Sequence, residues 1–153
     1  MSKFSIYITP PRYLEQWLRH EFWDVETSRV ILPRGSSARE VLKAALQITP
    51  RGYMANESEG TLPVAVPSIK GIDPAKFCFV CDSGKVAVIS ACKNIFRANF
   101  IKELKPLFVL DVPITDVVYN YMDRHGIERT EQNWEAIRQM FYRLRKKDSL
   151  RYG

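Results

Sequence analysis

The sequence has little of what marks a secreted or membrane-spanning protein. Its first residues, MSKFSIYITPP, lack the apolar core of a signal peptide, and no apolar run approaches the roughly 18 residues that a membrane helix needs. Only three cysteines are present, Cys78, Cys81 and Cys92, so they cannot all pair within one chain. These absences predict a cytoplasmic protein with reduced thiols and no membrane partner.

Catalytic signatures are also missing. The chain has no G-x-S-x-G, H-E-x-x-H, P-loop or EF-hand pattern. Its two histidines, His20 and His125, fall near the ends of predicted helices, where the helix dipole stabilises a cationic imidazole. Cys78 and Cys81 have a spacing seen in zinc sites, but such a site needs four ligands and only one further thiol exists. A thioredoxin-like use of Cys81 ahead of a helix stays open. We expect no enzyme activity, no cofactor and no metal site.

What the chain does contain is enough apolar sequence for a folded core and an excess of positive charge. Of its 153 residues, 46% are hydrophobic and 12% aromatic, which is too apolar for a disordered chain. Twenty-three basic residues against seventeen acidic ones give a net charge of +6 and a pI near 9.3. This balance favours an anionic partner without identifying it.

Alternating apolar and polar residues predict short strands in the first half of the chain. FSIYIT (4–9) has the period of a half-buried strand, and RVIL (29–32) is a second short one. VAVPSI (64–69) would form a third strand at a sheet edge, because Pro67 has no N–H to donate. The polar segment between them, 49–63, reads as an exposed loop.

Helical periodicity predicts most of the remaining elements. A helix over 10–22 would be capped by Thr9, and a second would be capped by Ser37 with Glu40 at capping-box spacing. Residues 77–90 fit either a hairpin or the start of a helix. We favour the helix, because the helical repeat of apolar residues continues beyond the alternation. Its predicted inner face consists of Val86, Ile89, Cys92 and Phe96.

The last forty residues contain two clear helices. Gly126 supplies the positive φ that ends the first, and Thr130 caps the second. We therefore predict a helix-rich α+β fold with a small sheet of short strands and about five helices. Residues 1–112 would form a mixed α/β core domain and residues 113–153 a basic two-helix module packed on it. The short Gly-containing link makes this pair resemble a helix-turn-helix.

The final helix, TEQNWEAIRQMFYRLRKK, combines an apolar stripe with a basic end. Trp134, Ile137, Phe141 and Leu144 share one face. We predict that six cations from position 138 onward contact a nucleic-acid backbone: Arg138, Arg143, Arg145, Lys146, Lys147 and Arg151. In the first turn, Gln132 and Asn133 could bond to base edges, whereas the carboxylates of Glu131 and Glu135 would repel phosphates. Contact to the backbone is therefore favoured over contact to bases, although a solvated helix face explains the same charge run.

Several segments carry a resemblance to a family: IYITPPRYLEQWLRHEF, VILPRGSS, VPSIKGIDPAKF and DVVYNYMDRHGIERTEQNWEAIRQMFYRLRKK. Together they cover most of the chain. They resemble a family of small proteins of unassigned function that are encoded in prophage-like and transposable elements of gut bacteria. The resemblance transfers no catalytic residue. It implies origin in a mobile element, which favours a role connected with DNA.

These observations lead to one hypothesis and two rivals. The leading hypothesis is a small, non-enzymatic DNA-binding or accessory protein of a phage-like mobile element. The first rival is a protein-interaction or assembly module without nucleic-acid contact, in which aromatic residues form an exposed patch: Trp17, Phe22, Trp23, Phe96 and Phe100. The second rival is an enzyme acting on nucleic acid, which would require carboxylates that converge in the fold. The sequence leaves the oligomeric state open, and also whether the partner is DNA, RNA or a protein.

Overall fold

The computed structural model describes residues 3–152, with side chains over residues 3–147. The described chain is 53% helical and 10% strand, which confirms the helix-rich α+β prediction. The helices are α1 (Arg12–Phe22), α2 (Ser37–Ala45), α3 (Asp82–Leu104), α4 (Ile114–Arg124) and α5 (Glu131–Tyr152). The strands are β1 (Ser5–Ile8), β2 (Trp23–Asp24), β3 (Arg29–Val30) and β4 (Leu62–Ala65). Short 3₁₀ turns lie at Glu57–Glu59 and Lys105–Leu107.

The four strands form one mixed sheet in the order β1-β4-β3-β2. β4 pairs antiparallel with β1 and parallel with β3, so it lies inside the sheet. The prediction of an edge position for this strand was wrong, because Pro67 falls beyond its end. Pro63 does lie within β4. It is opposite Tyr7 of β1, at a non-hydrogen-bonded position of this antiparallel pair, so its missing N–H costs no bond to β1. The N–H of Val66 donates to Phe4, so exchange with β1 falls on alternate residues.

Two helices begin away from the predicted residues. α1 starts at Arg12 rather than at Pro10, and Thr9 does not cap it. The reason is local: Pro10 precedes Pro11, and a residue before proline is held out of the helical region. In α2 the cap is Ser36 instead of Ser37, since the Ser36 hydroxyl accepts the Arg39 N–H at 3.2 Å.

Helix α3 confirms the helical interpretation of the ambiguous segment, but its buried face differs from the predicted one. Val86 is 64% exposed. The main buried positions are spaced by four residues: Val88, Cys92, Phe96, Phe100 and Leu104. Each step of four turns about 40° past a full turn, so this stripe winds around the helix. Along its length α3 therefore meets several partners, with α2 against it, then Trp17 of α1 at Phe96, then Tyr121 of α4 at Phe100.

The C-terminal helix pair packs on the rest of the chain. Gly126 has φ of +70° and ends α4, and Thr130 caps α5 by accepting the Asn133 N–H at 3.1 Å, both as predicted. Ile137 and Phe141 belong to the same hydrophobic core as residues of the β-sheet and α1. Residues on both sides of the predicted 112/113 boundary thus share one core. Over residues 3–152, no helix has the length and apolarity needed to cross a membrane.

Candidate functional site

Four cations lie in the C-terminal half of α5. We call Arg143, Arg145, Lys146 and Lys147 the basic tip. All four are exposed, and within residues 3–147 none forms an ion pair with a carboxylate. At 3.6 residues per turn, three of them, Arg143, Lys146 and Lys147, fall within an arc of about 100°. The basic tip can therefore approach an extended anionic surface with several charges at once.

Two arginines near the start of α5 are paired with carboxylates. Arg138 donates from Nη2 to Oε2 of Glu135 at 2.9 Å, and its guanidinium lies 5.5 Å from the Tyr142 ring centre. Arg129 donates to Asp123 in the same manner, with its Nε 3.0 Å from Oδ1. Of the predicted backbone contacts, Arg138 is thus bound within the protein. The prediction for Arg151 falls on a residue of α5 whose side chain lies outside those that the structure describes.

The two predicted base-reading residues have different surroundings. Gln132 is exposed. Asn133 is only 1% exposed, and its amide nitrogen donates to Gln16 Oε1 and to the Glu128 carbonyl, both at 3.0 Å. A base edge cannot reach Asn133 in this arrangement. The sequence does contain a signal for its burial, since Asn133 precedes Ile137 by four residues and so lies on the same helix face.

The link between α4 and α5 spans residues 125–130, two residues more than the longest usual helix-turn-helix turn of about four. Its Glu128 N–H donates to Gln16 of α1 at 2.9 Å. Through Asn133 and Glu128, the start of α5 is therefore fastened to α1. The basic tip lies further along α5, away from this attachment.

A second group of charged residues surrounds His125, which caps the C-terminus of α4 and is 8% exposed. Its Nδ1 bonds to Glu21 Oε1, and its Nε2 lies 2.9 and 3.0 Å from the two carboxylate oxygens of Glu103. The Tyr121 ring lies against the imidazole, 4.3 Å between centres. The imidazole of His125 thus joins the ends of α1, α3 and α4. Sequence reasoning missed this group because its carboxylates are 104 and 22 residues away along the chain.

These carboxylates bear on the enzyme rival. Glu21 and Glu103 are the kind of converging pair that acid–base chemistry would need, although the imidazole lies between them. Each already has an oxygen within hydrogen-bonding distance of a His125 ring nitrogen, and Glu103 also accepts from Arg124 at 2.9 Å. The pair is therefore engaged in holding three helix ends together.

The three cysteines do not share a site. Cys78 and Cys92 are buried, and burial raises the pKa of the Cys92 thiol to about 12. Cys81 is the N-cap of α3, and its sulfur lies 3.2 Å from the Ser83 hydroxyl. That hydrogen bond, together with one from the Gly84 N–H, lowers the pKa of Cys81 below its ordinary value. Cys81 is thus the most reactive of the three thiols.

The PRGSS turn before α2 lies beside a cavity of about 360 Å³. Arg34 and Arg39 line it together with apolar residues such as Leu42 and Val66. The Ser36 side chain occupies the Arg39 N–H, so one of the backbone donors that a phosphate would use is already satisfied.

The aromatic residues of the assembly rival are largely buried. Trp17, Phe96 and Phe100 are at most 2% exposed and pack edge-to-face or stacked with their neighbours. Phe22 and Trp23 are only half-buried. These residues form core rather than the exposed patch that the rival requires.

Fold and surface thus define a helix-rich α+β protein with a basic helix end. No family model matches the chain, and neither the curated proteins nor the solved structures include a match to it.

Proposed function

We propose that the protein binds nucleic acid through the sugar–phosphate backbone, with the basic tip of α5 as the contact surface. The supporting observation is the contrast in pairing along one helix. Arg138 is neutralised by Glu135, whereas Arg143, Arg145, Lys146 and Lys147 are exposed and have no carboxylate partner within residues 3–147. A cluster of one sign that the fold does not use is the electrostatic footprint of a polyanion-binding surface.

The physical basis of such binding is counterion release. Each phosphate that a lysine or arginine neutralises frees condensed cations from the duplex, so affinity falls as salt rises. If all four side chains contact phosphates, log K should fall against log salt with a slope of up to about −4. Few donors on this surface could read base edges, so binding should vary little with sequence. The resemblance to mobile-element proteins supports DNA as the natural polyanion.

The test compares two variants with the same change in net charge. In the first, Arg143, Arg145, Lys146 and Lys147 are all replaced by glutamine. In the control, four exposed lysines outside α5 are replaced by glutamine: Lys70, Lys76, Lys93 and Lys102. Fluorescence anisotropy with two DNA duplexes of unrelated sequence measures affinity across a salt series. Circular dichroism confirms that both variants are folded.

We expect the tip variant to lose most of its affinity for both duplexes and to show a shallower salt slope. The control variant should keep the wild-type slope, since overall charge alone does not position a contact. Equal losses in the two variants would show that binding follows net charge rather than the basic tip. Wild-type affinity in the tip variant would overturn the proposal outright.

A further inference from the structure

The end of α1 and the end of α4 bring three metal-ligating side chains together. His20, Glu21 and His125 each offer one ligand atom, and these atoms all lie within 4.8 Å of one another. His20 Nδ1 is 3.6 Å from Glu21 Oε1, and the same oxygen bonds to His125 Nδ1. In tetrahedral zinc sites, bonds of about 2.0–2.1 Å place ligand atoms about 3.3 Å apart. Small side-chain shifts would bring the three atoms to this spacing around one ion.

The second nitrogen of His125 is held in the way typical of a metal-ligating histidine. Its Nε2 faces both carboxylate oxygens of Glu103, at 2.9 and 3.0 Å. Histidine ligands commonly donate their other ring N–H to a carboxylate, which fixes the ring and raises its basicity toward the metal. Arg124 donates to Glu103 as well and keeps that carboxylate in place. Nδ1 is therefore the nitrogen directed at His20 and Glu21.

The backbone beside His20 leaves room for this convergence. Gly126 has φ of +70°, and a Cβ built there would lie 2.8 Å from His20 Cδ2. Only glycine lets the turn after α4 approach the imidazole so closely. The two imidazole rings lie 6.3 Å apart between their centres. The turn that ends α4 therefore brings His125 close to His20.

We propose that His20, Glu21 and His125 bind one divalent transition-metal ion of the zinc type, with Glu103 as the positioning partner of His125. Two imidazoles and one carboxylate suit zinc and its neighbours in the first transition series, whereas magnesium and calcium prefer oxygen ligands alone. On binding, the ion would replace the direct contact between His125 Nδ1 and Glu21 Oε1. This site departs from the expectation, drawn from the sequence, that the chain holds no metal.

The geometry also leaves one side of the site open. The side chain of His20 is 48% exposed and that of Glu21 is 28% exposed, whereas that of His125 is 10% exposed. Three protein ligands with one solvent-facing side leave a coordination position for water or for an incoming donor group. The site thus resembles an exchangeable metal site more than a closed structural one.

The test uses untagged protein carrying Cys81→Ser, so that the partly exposed thiol of Cys81 does not compete for zinc. Competition against a chromogenic chelator measures zinc affinity and stoichiometry. We expect one ion per chain, a weakening of more than about 100-fold in His20→Ala and in Glu21→Gln, and of about 10- to 100-fold in Glu103→Gln. Glu26→Gln, which changes an exposed carboxylate outside the site, is the matched control and should bind as the parent does.

A second readout separates a metal site from a purely structural ion-pair cluster. Zinc should raise the melting temperature of the parent protein, because it binds the folded state, and this rise should vanish in His20→Ala. His20 is the suitable ligand to remove, since its half-exposed side chain carries little of the core. Absence of saturable zinc binding, or binding that is unchanged in both His20→Ala and Glu21→Gln, would overturn the proposal. Either outcome is independent of whether the basic tip binds DNA.

Discussion

The two ends of α5 illustrate opposite uses of charged and polar residues. At the start of the helix, Asn133 is buried and fastened to Gln16, and Glu135 and Arg138 neutralise each other. At the other end, the basic tip is solvent-exposed and has no described carboxylate partner. The same helix thus combines a first segment whose polar side chains are buried or paired within the protein with a second segment whose cations are exposed to solvent. The number of charged residues alone does not identify a binding surface. The informative property is which charged side chains stay exposed and unpaired in the folded protein.

The largest effect should come from the buried side of α5. Phe141 is 2% exposed and packs edge-to-face on Phe108, with 5.4 Å between ring centres. Phe141→Ala should lower the free energy of unfolding by about 3–5 kcal/mol, because it leaves a cavity in the core. Leu144→Ala, at a half-buried position one turn further, should cost less. Urea denaturation followed by circular dichroism measures both, and equal losses would contradict the division of the helix into embedded and free parts.

The next largest loss of stability is expected at Gly126, in the turn between α4 and α5. Gly126→Ala places a Cβ at positive φ and against His20, whereas Gly52→Ala meets positive φ with nothing within 4 Å. The Gly52 variant should lose about 1–2 kcal/mol from backbone strain alone. The Gly126 variant should lose more, and the difference between the two measures the contact with His20. Thermal denaturation of both variants provides the comparison, and indistinguishable values would mean that His20 moves aside freely.

Neighbouring residues in the first turn of α5 allow a sharper comparison. Asn133→Ala removes two buried hydrogen bonds and should destabilise the fold by about 1–3 kcal/mol. Gln132→Ala, at an exposed position, should change the free energy of unfolding by no more than about 0.5 kcal/mol. Chemical denaturation measures these values, and anisotropy with the same DNA duplexes accompanies it. If Asn133→Ala weakened DNA binding while leaving stability intact, its assignment to the core would fail.

The ion pair between Glu135 and Arg138, in the first half of α5, predicts the direction in which stability changes with pH. The hydrogen bond from Arg138 holds the pKa of Glu135 below its ordinary value. Because the folded-state pKa is lowered, any stabilisation by this pair is complete above the unfolded pKa. It is lost as pH falls through the lowered one. NMR titration of the carboxyl groups should show the pKa of Glu135 rising in Arg138→Gln. The pKa of Asp123, which Arg129 holds down, should stay unchanged as an internal control.

The smallest effect on stability is expected at the basic tip. Replacing Arg143, Arg145, Lys146 and Lys147 singly by glutamine should change the free energy of unfolding by no more than about 0.5 kcal/mol, because exposed and unpaired side chains contribute little to the fold. Urea denaturation tests this directly. A loss of more than 1.4 kcal/mol, a tenfold change in the folding equilibrium, would show that the tip is part of the packed structure.

Some local patterns predicted the structure correctly, although the caps expected at Thr9 and Ser37 did not form. Alternation located β1, and Gly126 and Thr130 marked the end of α4 and the start of α5 as predicted. Interior positions were harder. The third strand was expected at an edge because of Pro67, but β4 ends before that residue, and its pairing with β1 and β3 is not encoded in its own sequence. A strand's place in a sheet depends on residues tens of positions away.

The candidate sites divide along the same line. The basic tip is visible in the sequence, because its four cations lie close together in one predicted helix. The burial of Asn133 could have been inferred from its spacing to Ile137, but its partner Gln16 could not, since 117 residues separate the two. His20 and Glu21 are adjacent in sequence, yet only the tertiary fold, which places the end of α4 beside the end of α1, brings His125 to them.

The sequence by itself determined the helix-rich character of the protein, the stop at Gly126 and the concentration of charge at its C-terminal end. These properties follow from backbone preferences and side-chain periodicity, which act over a few residues. Only the tertiary structure decided which polar side chains form bonds within the folded protein and which come together in one cluster. Glu21, Glu103 and His125 meet because three helix ends meet, and burial of the apolar stripe on α3 drives those helices together.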